Sequence, residues 1–253
     1  VLETGRYGTL KDNTPSSLLT DETYSEFFDE NCALKPEFNN AVLKASGDFE
    51  ENTIFIFDNV NVTLTNDGTA VFHEGQIMTG NNATVVFDGL VFENSMDAFV
   101  LESEGNTINN TIIKINSEDP IHAIYVYENG NTIANTILNI TAPSADVEYN
   151  SDYSVKAPAP AAIVINSDNN LLDNVTVFFD GTSSTGSWPT VDGIYLVSDK
   201  TPIQNNTIKD STVEVIGANY VYGVNVGNAK DTTIENINVK VDSAYYSDAI
   251  QLF

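Results

Sequence analysis

The chain has 253 residues, with 36 acidic against 10 basic side chains and a formal net charge of −26. That balance argues against DNA, RNA or an anionic membrane as partner, because each is itself negative. Apolar residues make up 42%, too many for a disordered acidic tail. No run approaches the ~18 apolar residues of a membrane span, and the lone Cys32 rules out an internally disulfide-stapled scaffold.

Asparagine is the abundant residue, at 31 positions, and Arg6 is the only arginine. Asn with many Val, Ile and Thr predicts strands joined by asparagine-rich turns rather than helices. The chain starts at Val1 and stops at Phe253 inside a strand-like run, so a longer parent protein is expected.

Residues 1–52 carry no repeat. Thr20-Asp21-Glu22-Thr23 predicts a short helix start, with Tyr24, Phe27 and Phe28 on one face. A solenoid needs its open end covered, which assigns 20–52 to an N-terminal cap. Residues 53–81, with Ile54-Phe55-Ile56-Phe57 and Val60-Asn61-Val62-Thr63-Leu64, read as a first, irregular coil or two.

From there one phrase recurs. Asn106-Thr107-Ile108-Asn109-Asn110 returns near residues 131, 170 and 206, with weaker copies at Thr84–Asp88 and Thr232–Asn236. Alternating apolar residues follow each copy, such as Ile113 and Ile115, which is the strand period. A second phrase follows, with Ala or Gly ahead of a short apolar run: Ala98-Phe99, Ala123-Ile124, Ala162-Ile163, Gly193-Ile194, Gly223-Val224 and Ala249-Ile250. Taking Val86, Ile108, Ile133, Leu172, Ile208 and Ile234 as anchors gives a unit of roughly 25 residues with two short strands, one coil of a parallel β-solenoid. Parallel crossovers are right-handed in nearly all cases, which sets the hand. The columns Asn106, Asn131, Asn170, Asn206 and Asp88, Asn110, Asn135, Asn174, Asp210, Asn236 then stack as side-chain ladders at turns.

Two consecutive coils are longer than the rest and expand at one corner, over residues ~142–160 and ~180–191. Insertions on one face of a solenoid often build its binding face. They contain Asp146, Tyr149, Asp152, Tyr153 and the only tryptophan, Trp188, near Tyr195. Aromatic rings beside carboxylates suit glycan or protein recognition, and these six residues are the expected binding set. The six Asn-x-Ser/Thr sequons are about as many as composition alone produces.

The Asn-Thr-Ile-x-Asn and Ala/Gly-Ile-x-Leu phrases resemble the right-handed β-helix repeats of the pectate-lyase-like superfamily. The head, Tyr24-Ser25-Glu26-Phe27-Phe28-Asp29-Glu30-Asn31 with Gly47-Asp48-Phe49 and Asn61-Val62-Thr63-Leu64, resembles the adhesin-like surface proteins of gut and rumen methanogens. Cys32 stands where a small turn residue such as Gly is expected. This resemblance implies extracellular display at the cell surface, with an anchor outside this segment, and non-catalytic binding to the glycans or surface proteins of a partner cell.

The superfamily also holds polysaccharide lyases and hydrolases. Lysines are sparse in the coils and Arg6 lies outside them, which leaves no cationic base of the lyase kind. A runner-up column of acid–base residues exists two positions before the second-strand anchors: Asp97, His122, Ala161, Asp192, Tyr222 and Asp248. Asp97, His122 and Asp192 are the catalytic candidates in that case. Cys/His metal spacing is absent. Calcium held by surface carboxylates fits the composition, though no spacing specifies it, and no cofactor is expected. The sequence therefore predicts an all-β, right-handed parallel β-helix, with residues 1–52 as N-terminal segment and helical cap and 53–253 as coils. It predicts a cell-surface adhesin that is not an enzyme, with a β-helix polysaccharide lyase or hydrolase as the first alternative and a passive stalk as the second.

Overall fold

The computed structural model describes residues 7–9, 15–149, 155–181, 184, 186–198, 201–217 and 219–252. Three long sheets run the length of the molecule, and within each, successive coils pair in parallel. The first sheet includes Val42–Ala45, Asn61–Asn66, Thr84–Asp88, Thr107–Asn109, Thr132–Ala134, Leu171–Asp173, Thr207–Lys209 and Thr233–Glu235. The second runs from Asp48–Phe49 through Ile112–Asn116 and Ile137–Thr141 to Asn238–Ser243. The third runs from Ile54–Phe57 through Phe99–Leu101, His122–Val126, Ala161–Ile165, Thr190–Leu196 and Tyr220–Val226 to Tyr246–Leu252. This is the expected right-handed parallel β-helix.

Each coil has three strands rather than the expected two. The phrase around Ile108 and the alternating run after it are separate strands, because Asn110 between them adopts φ +51°. Asn135, Asn174, Asp210 and Asn236 repeat this left-handed conformation. Asn and Asp tolerate it because their short polar side chains bond locally. The bend turns the chain from the first sheet into the second. Cys32 also has φ +61°, the backbone setting in which a Gly was expected.

One register assignment is corrected. Ile108 pairs with Phe87, not with Val86, and Asn109 faces Asp88. Side chains alternate along a strand, so a one-residue slip exchanges inside for outside. Phe87 is fully buried and Val86 is exposed. Asp88 still joins the ladder, accepting from the side-chain amides of both Asn109 and Asn110 at 2.9 and 2.8 Å.

The sheets also begin before residue 53. Pro15–Leu19 pairs with Val42–Ala45, which pairs with Asn61–Asn66. The helix Tyr24–Phe27 closes the end of the stack. Thr23 Oγ1 accepts the Thr20 N–H at 2.9 Å to start that segment. Phe28 then packs its ring against the edges of Phe55 and Phe57, at centroid distances of 5.2 and 5.9 Å. Phe49, Phe72 and Phe92 continue the core as a stack, 4.6 and 5.0 Å apart. Burial of such rings is the main driving force for closing the early coils.

Asn106, Asn131, Asn170 and Asn206 form a buried ladder. Each Oδ1 of the next coil accepts the backbone N–H of the previous Asn, at 2.8, 2.9 and 2.8 Å. These amides satisfy donors that would otherwise be lost at the corner between the third and first sheets.

Candidate active site

The outward face of the third sheet carries the chemistry. In each coil the Ala or Gly of the second phrase and the apolar residue after it both turn inward. At Gly193 an added Cβ would lie 2.4 Å from Val213 Cγ1 and 2.6 Å from the Gly223 carbonyl. The preceding residue is left on the outer face. The register His122–Ala161–Asp192–Tyr222–Asp248 is continuous, and Asp97 occupies the same place relative to Phe99, which pairs with Ile124.

Asp97 and His122 are therefore neighbours on consecutive coils and interact electrostatically. Burial raises the Asp97 carboxyl above its ordinary value, against the opposing pull of His122. Burial lowers the His122 imidazole, opposed by the Ala159 carbonyl and by Asp97. Its Nε2 lies 3.0 Å from the Ala159 oxygen. Both shifts run towards the neutral form of the group, while Asp97 itself stays exposed. Asp97 lines a cleft of about 410 Å³ with Glu74, Glu118, Gln76, Asn94 and Asn116. On the same strand Tyr125 meets His122 edge-on at 5.7 Å and stacks on Tyr127 at 4.2 Å.

Asp192 does not join that pair. Two strand spacings separate it from His122 and three from Asp97, about 10 and 14 Å. It is fully enclosed, and burial pushes its carboxyl up to about 8, with the Asn225 side-chain amide opposing.

The two insertions leave from the expected corner, between the second and third sheets, and they fold together. Ser144 Oγ donates to the Gly181 carbonyl at 2.7 Å. Ala145 and Thr190 exchange backbone bonds at 3.2 and 2.8 Å. The Asp146 carboxylate receives the Ser187 and Trp188 N–H groups at 2.9 and 2.7 Å, which fixes the loop that presents Trp188. That indole is 63% exposed and lies 5.9 Å from the Tyr220 ring. Asp146, Trp188, Thr190, Tyr220 and Tyr222 line a second cleft of about 430 Å³.

Tyr195 is 4% exposed and packs with Ala161, Val164 and Val197 on the same outer face, so it supports this region from below. Tyr149 lies in the strand Glu148–Tyr149, paired antiparallel with Val155–Ala157. Asp152 and Tyr153 lie outside the described residues. Sequence reasoning passed over Tyr220, Tyr246, Glu74 and Glu118. The first two share one register column, and the last two sit at the turns after second-sheet strands. Among the described residues no group of three His, Cys, Asp or Glu side chains is placed to hold a metal ion.

No family profile and no curated protein matches the chain. Among solved structures it is similar to the catalytic domain of a GH87 α-1,3-glucanase variant in complex with tetrasaccharides. That likeness covers 98% of this chain and 70% of the other, at 12% identity and a TM-score of 0.32. It is also similar to the catalytic domain of a GH87 α-1,3-glucanase in complex with nigerose, over 98% and 69% of the two chains, at 12% identity and a TM-score of 0.26. Both are catalytic domains of glycoside hydrolases. Against them, the expectation of a non-catalytic methanogen-type adhesin, and of a chain that is not an enzyme, is withdrawn. At this identity and TM-score no residue role and no substrate is carried across.

Proposed function

We propose that the chain is a polysaccharide-cleaving hydrolase that works in the cleft lined by Asp97, with His122 beside that carboxyl. The observation that carries this reading is Asp97 itself: it lines a cleft with two further carboxylates and has the His122 imidazole on the next coil as its charge partner. A carboxyl raised above its ordinary value, with other carboxylates in the same cleft, is the usual material of acid–base cleavage. Asp97 protonates the departing glycosidic oxygen. Glu74 and Glu118 line the same cleft and are the carboxylates available to activate water, the division of labour that two-carboxylate glycosidases use.

The net charge of −26 favours a neutral glycan over an acidic one. It also disfavours elimination chemistry, whose substrates are uronates. Amides at Gln76, Asn94 and Asn116 supply donors and acceptors for sugar hydroxyls. Trp188 on the second insertion, with Tyr220 and Tyr246 on the coils after it, supplies ring faces for a longer chain. A polymeric substrate of this kind accords with an extracellular setting.

Neutral glucans, mannans and xylans, with polygalacturonate as the acidic control, would be incubated with the protein while new reducing ends are counted. Release from a neutral polymer that is lost in Asp97→Asn and His122→Ala supports the reading. No release from any polymer, or turnover indifferent to both substitutions, overturns it.

A further inference from the structure

Asp192 and Asn225 present an anomaly that the cleft chemistry does not use. Both side chains point to the outer face of the third sheet, on adjacent strands, and both are buried. One hydrogen bond joins them, from Asn225 Nδ2 to Asp192 Oδ1 at 3.0 Å. The two remaining oxygens, Asp192 Oδ2 and Asn225 Oδ1, are buried with no hydrogen-bond partner among the described residues. Two orphaned acceptors on one hydrogen-bonded pair form a costly arrangement, since each carries the desolvation penalty of an unmade bond.

A carboxyl group and a primary amide that meet edge to edge make one N–H···O bond and leave one oxygen on each side. Those are the two orphaned atoms here. A single proton on Asp192 Oδ2 turns one of them into a donor and satisfies both. We propose that Asp192 is a neutral carboxylic acid in the folded protein and closes a two-bond acid–amide ring with Asn225, making this pair a built-in proton site. The ring needs no external ligand, and it stands whether or not the hydrolase reading holds.

The surroundings favour the neutral form. Ala161 is the register partner on one side and contributes no charge. On the other side Tyr222 is the register partner, and burial raises its own hydroxyl, so it brings no positive charge to the carboxyl. Tyr195 flanks it on the same strand. Among the described residues, the other titratable groups of this face are Tyr220 on the adjacent strand, His122 and Tyr125 two strands away, Asp97 three strands away, and Tyr246 and Asp248 two strands away on the other side. No Lys or Arg stands among these groups to hold the carboxylate ionised.

The direction of the pH effect follows. The folded carboxyl is raised from 3.8 to about 8, so between these values the folded chain binds a proton that the unfolded chain has released. Stability from this group is complete below the lower value, declines through the interval, and is gone above the upper one. The slope is about a tenfold loss in the folding constant for each pH unit.

The test is a carbon-detected NMR titration of the aspartate carboxyls from pH 5 to 10, with Asp192→Asn to assign the signal. One carboxyl is expected to titrate near pH 8, with the Asn225 side-chain amide shifting at the same midpoint, since the ring couples them. In parallel, denaturant midpoints of the wild-type chain should fall between pH 5 and 8 relative to Asp192→Asn. An Asp192 already ionised at pH 6 overturns the proposal, as does an Asn225 amide indifferent to the titration. Stabilisation by added sodium or calcium chloride without a pH dependence would place a cation between the two oxygens and overturn it as well. The wild-type titration of the Asn225 amide requires no variant, so the proposal stays testable if Asp192→Asn does not fold.

Discussion

Asp97 and Asp192 are the same residue type in the same register column, yet they are placed for different work. Asp97 faces a cleft, meets His122 and can exchange a proton with something bound there. Asp192 is sealed from solvent. The difference predicts different mutational signatures. Asp97→Asn should lower kcat by about 10²–10⁴-fold, the usual worth of a positioned general acid, with little change in thermal stability. Because the Asp97 carboxyl must hold its proton, activity should fall as pH rises through its raised pKa, and that alkaline limb should vanish in the variant. A pH–rate profile of both proteins checks this. Trp188 belongs to the same scale. It is largely exposed, so Trp188→Ala should change stability by no more than about 0.5 kcal/mol while weakening retention on an immobilised neutral polysaccharide. Equal retention by both forms would remove the ring from the binding surface.

Asparagine does two jobs in the strands and turns. Twelve of the sixteen described non-glycine residues with positive φ are Asn, which explains the composition as a demand for left-handed corners. The inner column has a second role as a buried hydrogen-bond ladder. Asn131 accepts the Asn106 N–H at 2.8 Å and its side-chain amide at 3.0 Å. Asn131→Ala should therefore cost about 1–3 kcal/mol, because it leaves a buried donor unpaired. A urea titration reads that loss, and an unchanged midpoint would mean that the corner is hydrated instead. The Ala/Gly positions are a steric requirement of another kind. Gly193→Ala places a methyl inside the contact distance of Val213 and the Gly223 carbonyl, and overpacking of this sort costs about 1–3 kcal/mol or more. Coils that carry Ala at the equivalent place have room for it, so Ala123→Gly is expected to have a much smaller effect in the same assay.

At the scale of the whole molecule, stability is a stack of neighbour contacts. The middle coils are sealed on both sides, and their inward residues Ile163 and Ile194 are fully buried. In the last described coil the residues at the matching places open out, with Ile250 at 41% and Leu252 at 71% exposure. Amide hydrogen exchange should accordingly be fastest over 233–252 and slowest over the strands between residues 107 and 196. Uniform protection along the chain would show a single cooperative unit instead.

Much of this architecture was legible in the sequence, because a solenoid writes each coil with the same local constraints. Turns need Asn, inward positions need Val, Ile or Phe, and the tight place before the third-sheet anchor needs Ala or Gly. Those demands fix the fold, the ladders and the corner where the insertions leave. The Val86 anchor slipped by one residue because Val and Phe alternate too weakly there for periodicity to separate inside from outside, and only strand pairing decides. The third strand per coil was hidden because a single left-handed Asn makes a bend without interrupting the apolar run. The site was legible only as a column. Sequence order places Asp97, His122 and Asp192 at equivalent positions, but it does not carry what covers each one. Burial, the closing of the two insertions through Asp146 and Thr190, and the pairing of Asp192 with Asn225 all arise between coils that are distant in sequence. Local pattern thus determined the coil, and the stacking of coils decided which of its equivalent residues line an open cleft and which are enclosed.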